Sequence, residues 1–436
     1  MVATLSVSFA QTPTAIAIRN ARIVPISGPA LARGTVVLRN GLIEAVGENT
    51  TVPSDAWVLE GEGLTVYPGL IDALSNWGMP ANLAAPSRPG VPQSVGPVIQ
   101  GNLPAPPARP SQGPEDRPAT TSWIKAADEL QPTDHRLEIA RNAGFTSAVT
   151  FPMRGIAAGQ GSIVNLAGEK PRDMVLVPAA GQYLTMASSG GGFPLALFGT
   201  IAYIRQLYLD ADHYVQVKQA YAKDPQSVPR PEYEAALEGI LQSQRILLPA
   251  NRMVEVDRMI RFAAELKQPT ILYGMREGYR SVDLLKKAKL PVLVSLKWPV
   301  KENDTDPDDV ESYRTLEVRD RAPSTPAEFQ KAKLKFAFYT DSVDQPRDIQ
   351  KAVKKAIDAG LSREEAVRAL TLSVAEIYGV SDRLGSIEKG KIANLLVTRG
   401  DIFDDKAKVE MVFIDGKRFA PPPEPPTPAP PKPTAN

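Results

Sequence analysis

Apolar and polar positions alternate in short runs from Ala15 to Gly47, as in "AIAIRNARIVPI" and "GTVVLRNGLIEAVG". That period of two predicts half-buried strands, and Asn40-Gly41 between two runs predicts a two-residue hairpin turn. The pattern returns near the other end, where "IANLLVTRGD" precedes "VEMVFIDGKRF" and Asp415-Gly416 marks a second hairpin. Neither segment is large enough to bury a core alone. Packed together they are, so the pattern predicts one discontinuous β-sandwich domain built from residues 15–62 and 385–420.

Between these ends the period changes. "TDHRLEIARNAG" predicts a helix capped by Thr133 or Asp134 and stopped at Gly144, and the strand "FTSAVTF" follows directly. Strands "RILLPA", "PTILYG", "LPVLVSL" and "KFAFYT" then alternate with helices over Met253 to Lys267, around Ser281 to Ala288, over Gln345 to Ala359 and over Arg363 to Tyr378. "VYPGLIDALSNWG" reads as a buried strand from Leu64 to Ile71, broken by Pro68-Gly69 and ending in Asp72. Buried strands alternating with amphipathic helices predict parallel βα units covered on both faces. Residues 63–384 therefore suit an α/β fold of the (β/α)8 barrel type with inserts, whose functional face is the C-terminal end of its strands. A doubly wound sheet competes with this. Neither Gly159-Gln160-Gly161 nor Gly190-Gly191-Gly192 opens a helix directly after a strand with an acidic residue suitably downstream, so a dinucleotide fingerprint is weak.

Composition narrows the chemistry. The chain has 436 residues, 43% hydrophobic and 23% charged, as expected of a globular protein with a large core. A net charge of +1 provides no global field for nucleic acid or an anionic membrane. There is no cysteine, and His135 and His213 are the only histidines. Zinc sites draw mostly on cysteine and histidine, so a closed or catalytic zinc site is disfavoured, while an oxygen-only site for a hard cation stays open. Proline is concentrated in an insert, Pro80 to Pro118, and in a tail, residues 421–436, that reads as disordered or as a proline-rich docking segment. The insert follows the first barrel strand and is expected to cover or cross the barrel mouth. Residues 1–14 form a signal-like or disordered segment; Val2 to Ala10 is apolar, with small residues before Gln11. Read as a signal peptide with a clipped start, it implies a periplasmic or secreted protein, with a cytoplasmic location as the alternative. No segment reads as a membrane span.

The signatures "IAIRNARIVPISGPALARGTVVLRNGLIEAVG", "PGLID" and "GVSDRLGSIEKGKIANLLVTRGD" with "VFIDGKRF" occur in the order and spacing of a β-sandwich split around a barrel. In these the chain resembles the amidohydrolase superfamily, and with "AGQGSIVNLAG" it is similar to secreted members of the imidazolonepropionase-like branch. The resemblance implies hydrolysis of C–N bonds, or of peptide-like amides, with zinc or another divalent metal at the barrel mouth. Such a metal acidifies bound water and polarises the carbonyl, while an aspartate on the last strand handles the proton. It also implies histidines after "PGLID", where Leu74 and Asn76 stand, at the end of the fifth strand, where Pro249 or its neighbour stands, and before Gly274, where Tyr273 stands. The last-strand aspartate is retained in Thr340-Asp341.

No bound cofactor is therefore expected. Asp72, Asp341 and Asn76 offer oxygens and Tyr273 a phenolate, but Leu74 offers nothing. His135 and His213 read as exposed or structurally bonded, away from the strand ends. Asp341 is the candidate catalytic residue, or else a strand-end aspartate satisfied by its own loop. Asn76, Asn251, Arg252, Tyr273, Arg276 and Lys297 are candidate binding residues at strand ends, where Arg252, Arg276 and Lys297 near Asp341 would suit an anion; their alternative is ordinary solvated rim charge. Three functions stay open: a pseudoenzyme subunit, as a homodimer or paired with an intact paralogue; an active hydrolase using Asp341 with a non-standard or absent metal; and a small-molecule binding protein using the barrel mouth.

Overall fold

The computed structural model describes residues 15–84, 112–186, 192–301, 310–343 and 345–421. The signal-like segment, most of the proline-rich insert with its expected position over the mouth, and the tail beyond Pro421 lie outside the described residues.

The chain begins with β1 (Ala15–Ile23), β2 (Leu31–Arg39), β3 (Leu42–Gly47), β4 (Ala56–Glu60) and β5 (Leu64–Pro68). It continues through β6 (Leu70–Ser75), β7 (Phe145–Thr150), β8 (Ala157–Asn165), β9 (Val175–Leu184), β10 (Ile246–Ala250), β11 (Thr270–Gly274), β12 (Val292–Ser295) and β13 (Phe336–Tyr339). It closes with β14 (Leu395–Arg399), β15 (Lys408–Ile414) and β16 (Lys417–Phe419).

The terminal segments form one sheet in the order β16-β15-β14-β5-β1-β2-β3, with β4 paired to β1. Both predicted hairpin turns are present. Asn40 and Gly41 have φ of 51° and 80°, and Asp415 and Gly416 have 54° and 71°, the left-handed pair that a two-residue turn requires. The two tips meet: Gly41 accepts from the Ala393 N–H at 2.8 Å and Gly416 donates to the Ala393 carbonyl at 3.1 Å. The ends of the chain are thereby stitched through one residue.

The second sheet runs β13-β12-β11-β10-β9-β8-β7-β6. Its interior holds Ile71, Ala73, Val149, Leu247, Ile271, Leu293 and Ala337, while the odd-even partners Leu248, Leu272, Val294 and Phe338 face the surrounding helices. This is the predicted barrel, with one strand reversed. β8 pairs antiparallel with both β7 and β9, because only residues 151–156 separate it from β7, too few for a crossover helix. The sequence Gly159-Gln160-Gly161 lies within β8, where Gly161 leaves room for the Phe151 ring and Gly159 takes a φ of 139°.

The strand expected from Leu64 to Ile71 is two strands in two sheets. β5 pairs with β14 and β1, so the switch to the barrel falls at Gly69 and not at residue 63. A Cβ on Gly69 would overlap the buried Thr146 side chain, so only glycine lets the two sheets approach this closely. The helix expected from Arg363 to Tyr378 is also divided, into Arg363–Ala369 and Leu372–Tyr378. The break frees the Leu370 carbonyl to accept from Ile71 N–H at 2.7 Å. Helix 372–378 then packs on the barrel's apolar interior, and the Tyr378 hydroxyl donates to the Ala73 carbonyl at 2.8 Å.

Replacing Gly69 by alanine is expected to destabilise the protein by about 3 kcal/mol or more, at the upper end of overpacking costs. Gly28, with open space at its Cβ position, is the control: Gly28→Ala should change the urea midpoint little.

Candidate functional site

The barrel closes at its mouth end through Asp72. This carboxyl is fully buried and accepts from Thr340 N at 3.1 Å, from Thr340 Oγ1 at 2.6 Å and from Leu74 N at 3.3 Å. β6 and β13 are thereby joined across the seam by a side chain. Burial pushes the Asp72 carboxyl up to about 7, against the lowering effect of its three donors and with the nearby Asp341 charge adding to the rise.

The layer above is aromatic. Tyr183 from β9 stacks on Tyr273 from β11 at 5.3 Å and 27°, Tyr339 from β13 meets Tyr273 edge-on at 6.4 Å, and Phe151 leans on Tyr183 at 5.9 Å. Leu74 is 2% exposed and belongs to the same cluster. The Tyr273 hydroxyl donates to the Leu184 carbonyl at 3.0 Å. Burial raises the Tyr183 phenol to about 12 and those of Tyr273 and Tyr339 well above the usual range, with Asp341 adding to each. Tyr273 is therefore a neutral donor at physiological pH, and the phenolate considered from the sequence is not available.

Asp341 stands just beyond β13, half-buried, with φ of 51°. Its Oδ2 accepts from Ser295 Oγ at 2.7 Å, and the same hydroxyl accepts from Lys297 N at 3.0 Å. The other candidates scatter. Asn76 donates to the Ala84 carbonyl at 2.6 Å and accepts from Arg136 at 2.9 Å, which ties down the loop after β6. Asn251 lies over Gly274, which has no Cβ to displace it. Arg252 donates from Nε to Glu255 Oε1 at 2.6 Å, and the same carboxylate accepts from the Arg252 backbone N–H at 3.1 Å at the start of helix Met253–Leu266, so the guanidinium is held away from an anion-binding cluster at the mouth. Arg276 and Lys297 are exposed on the rim, and the Arg276 charge lies within electrostatic reach of Tyr339. His135 is exposed beside Glu138, and His213 is exposed on helix Leu197–Lys223.

A family model, "Amidohydrolase family", matches residues 320–419, which carry Thr340-Asp341 and the returning β14 to β16. The fold of an amidohydrolase from Thermotoga maritima MSB8 is similar over 93% of this chain and 100% of that one, with a TM-score of 0.72 and 26% identity. The matched segment and the fold are those of the amidohydrolase superfamily. A putative prolidase from Bifidobacterium longum shares the fold at a TM-score of 0.53 and 17% identity, over 94% of this chain and 96% of that one. An adenine deaminase from Moorella thermoacetica is 36% identical over 70 residues, a stretch that spans 16% of this chain and only 11% of that protein.

The divalent metal that superfamily membership implies does not fit the residues present at the ligand positions. Leu74 has no donor atom, Asn76 is committed to Ala84 and Arg136, and the Tyr273 hydroxyl is committed to Leu184. Among the described residues no group of three or more His, Cys, Asp or Glu side chains is arranged to hold a metal ion.

Sequence reasoning singled out Tyr273 but missed Tyr183, Tyr339, Phe151 and Ser295, and it read Asp72 as a strand end and an oxygen donor, not as the tie between the first and last strands. One signal was available: in "KFAFYT" and "GQYLT" the tyrosines share the two-residue period of the small inward-facing residues Ala337 and Gly181.

Two outcomes follow from this packing. Tyr273→Ala should cost about 3–5 kcal/mol, as a core truncation does, whereas Tyr273→Phe should cost about 1 kcal/mol for the lost hydrogen bond; both are read by urea denaturation. For Asp72, the native state holds its proton to a higher pH than the unfolded chain. Its contribution to stability is therefore full below about pH 4, and it falls as pH rises through about 7, by about 1.4 kcal/mol per unit at the steepest. The difference in unfolding free energy between wild type and Asp72→Asn should decline over that window.

Proposed function

We propose that this amidohydrolase has given up metal-assisted hydrolysis and acts as a non-catalytic or weakly active subunit, either as a homodimer or beside an intact histidine-bearing relative. The observation that carries this reading is the packed aromatic layer of Tyr183, Tyr273 and Tyr339, together with Leu74, at the end of the barrel where the superfamily's chemistry would take place. Aromatic rings in edge and stacked contact, with their hydroxyls above the usual phenol range, supply packing energy and neutral donors. They supply neither a Lewis acid nor an activated water. Function lives in the site and not in the fold, so the superfamily's activity is not carried over with the barrel.

A second reading keeps the chain as a hydrolase. The half-buried Asp341 carboxylate, held by Ser295 at 2.7 Å, is a general base in place, and the exposed Arg276 and Lys297 would offer positive charge to an oxyanion. The same rim charges would serve a small anionic ligand if the barrel mouth only binds. The signal-like residues 1–14 support a periplasmic or secreted setting. No helix among the described residues is long and apolar enough to cross a membrane.

Metal analysis after incubation with zinc or manganese should find well under one ion per chain. Turnover should stay at background on a panel that includes prolyl dipeptides, lactams and adenine, chosen from the activities named for similar proteins and from the superfamily's C–N chemistry. One ion per chain together with turnover abolished by Asp341→Ala would overturn the first reading in favour of the second. Light scattering on the purified protein addresses the subunit role, for which a strict monomer that captures no relative is the contrary result.

A further inference from the structure

The described part of the chain ends inside a groove. Pro421, just beyond β16, lies in the walls of two hollows of about 160 and 820 Å³. Asn142 lines both as well, so the two make one groove with Pro421 at their junction. The smaller hollow holds Phe419, with the Arg141 guanidinium 5.3 Å from its ring centre. The larger runs on between helix Pro346–Asp358 and the turn from β14 to β15, and none of the mouth residues lines it.

Local sequence sets both walls of the larger hollow. Arg347, Gln350, Lys351 and Lys354 recur at three- and four-residue intervals and so share one face of the helix. The buried residues Ile349, Ala352, Val353 and Ala356 hold the opposite face against the barrel. Phe403, Ala407 and Val409 give the facing turn an apolar side. A proline strand suits such a surface, because it needs no ladder and is already ordered before it docks.

The charges select the occupant. Lys351 and Lys354 are held by Asp348 and Asp358 of their own helix at 3.7 and 3.0 Å, and Lys408 is engaged. Among the carboxylates, Asp404 is held by Arg363 and Glu410 by Arg399. Arg347, Asp405 and Lys406 complete the charged lining, each without an ion-pair partner among the described residues. Two uncommitted cations against one uncommitted carboxylate favour a strand that brings a negative charge.

We propose that this hollow is the docking site for the stretch of chain that enters it, residues 422–427. That stretch, "PPEPPT", carries Glu424, the only acidic side chain after Pro421. No spacer has to be crossed. In an extended proline strand Glu424 stands about 9 Å beyond Pro421, within the length of the cation row, about 10.5 Å from Arg347 to Lys354. Lys432, about 34 Å on by the same rise, falls past the row. The docked strand ties the end of the terminal sheet to helix Pro346–Asp358.

Because the chain has no cysteine, a single introduced cysteine can be spin-labelled in the full-length protein. By electron paramagnetic resonance a nitroxide on Pro425→Cys is expected to be restricted, and one on Ala435→Cys, beyond the docked stretch, to move freely. Glu424→Lys should speed the Pro425→Cys label about threefold or more, and so should Arg347→Glu. Combining the two should restore part of the restriction, while Lys286→Glu on helix Val282–Ala288 should leave it unchanged. A Pro425→Cys label as mobile as the Ala435→Cys label overturns the proposal, as does restriction that survives both charge variants. Restriction that fades on dilution assigns the hollow to the tail of a second copy and overturns it equally. Circular dichroism of each variant separates lost docking from lost fold.

Discussion

Everything at the mouth of this barrel depends on one buried carboxyl. Asp72 is fully buried in a strand interior, a placement that costs several kcal/mol unless its oxygens are satisfied. Thr340 satisfies them with its backbone N–H and its hydroxyl, and in doing so joins the first and last strands of the barrel where their ladder is incomplete. The neighbouring features serve the same seam. Gly69 lets the chain cross from the terminal sheet into the barrel, the broken helix releases the Leu370 carbonyl to Ile71, and Tyr378 reaches Ala73 from the same side.

A closed barrel of eight strands has an interior that side chains must fill. Here Leu74 and four rings do so, and the identity of the filling decides the chemistry. A histidine pointing inward needs a metal or a hydrogen-bond partner. A tyrosine needs only a carbonyl for its hydroxyl and other rings for its faces, and Tyr273 finds both in Leu184, Tyr183 and Tyr339. The interior is thereby stabilised by ring packing and by a hydrogen bond to a backbone carbonyl. Asp341, still in place at the end of the last strand, is turned by its left-handed backbone to the Ser295 hydroxyl.

The parts of the site that sequence exposed were those defined by position after a strand signature. Leu74, Asn76 and Tyr273 could be placed because "PGLID" and "ILYG" fix where a strand ends. Arg252 is drawn aside for a local reason: Glu255, three residues on, holds the guanidinium in an ion pair at the helix start, and strand-end position alone does not reveal that competition. The reversal of β8 was hidden too, because a fully buried strand reads the same whichever way it runs.

By itself the sequence determined that strands from both ends of the chain come together, both hairpin turns, the barrel and the absence of histidine at the expected positions. All of these are written in neighbouring residues or in residue identity: a period of two or of three to four, an Asn-Gly or Asp-Gly pair whose backbone must turn, a side chain that lacks a donor. Tertiary structure alone decided what fills the space those histidines would occupy and how the barrel is sealed. Asp72 and Thr340 are 268 residues apart, and Tyr183, Tyr273 and Tyr339 come from three separate strands. Their contacts arise only when the closing sheet brings those strand ends around one axis, and no local pattern in the chain encodes that meeting.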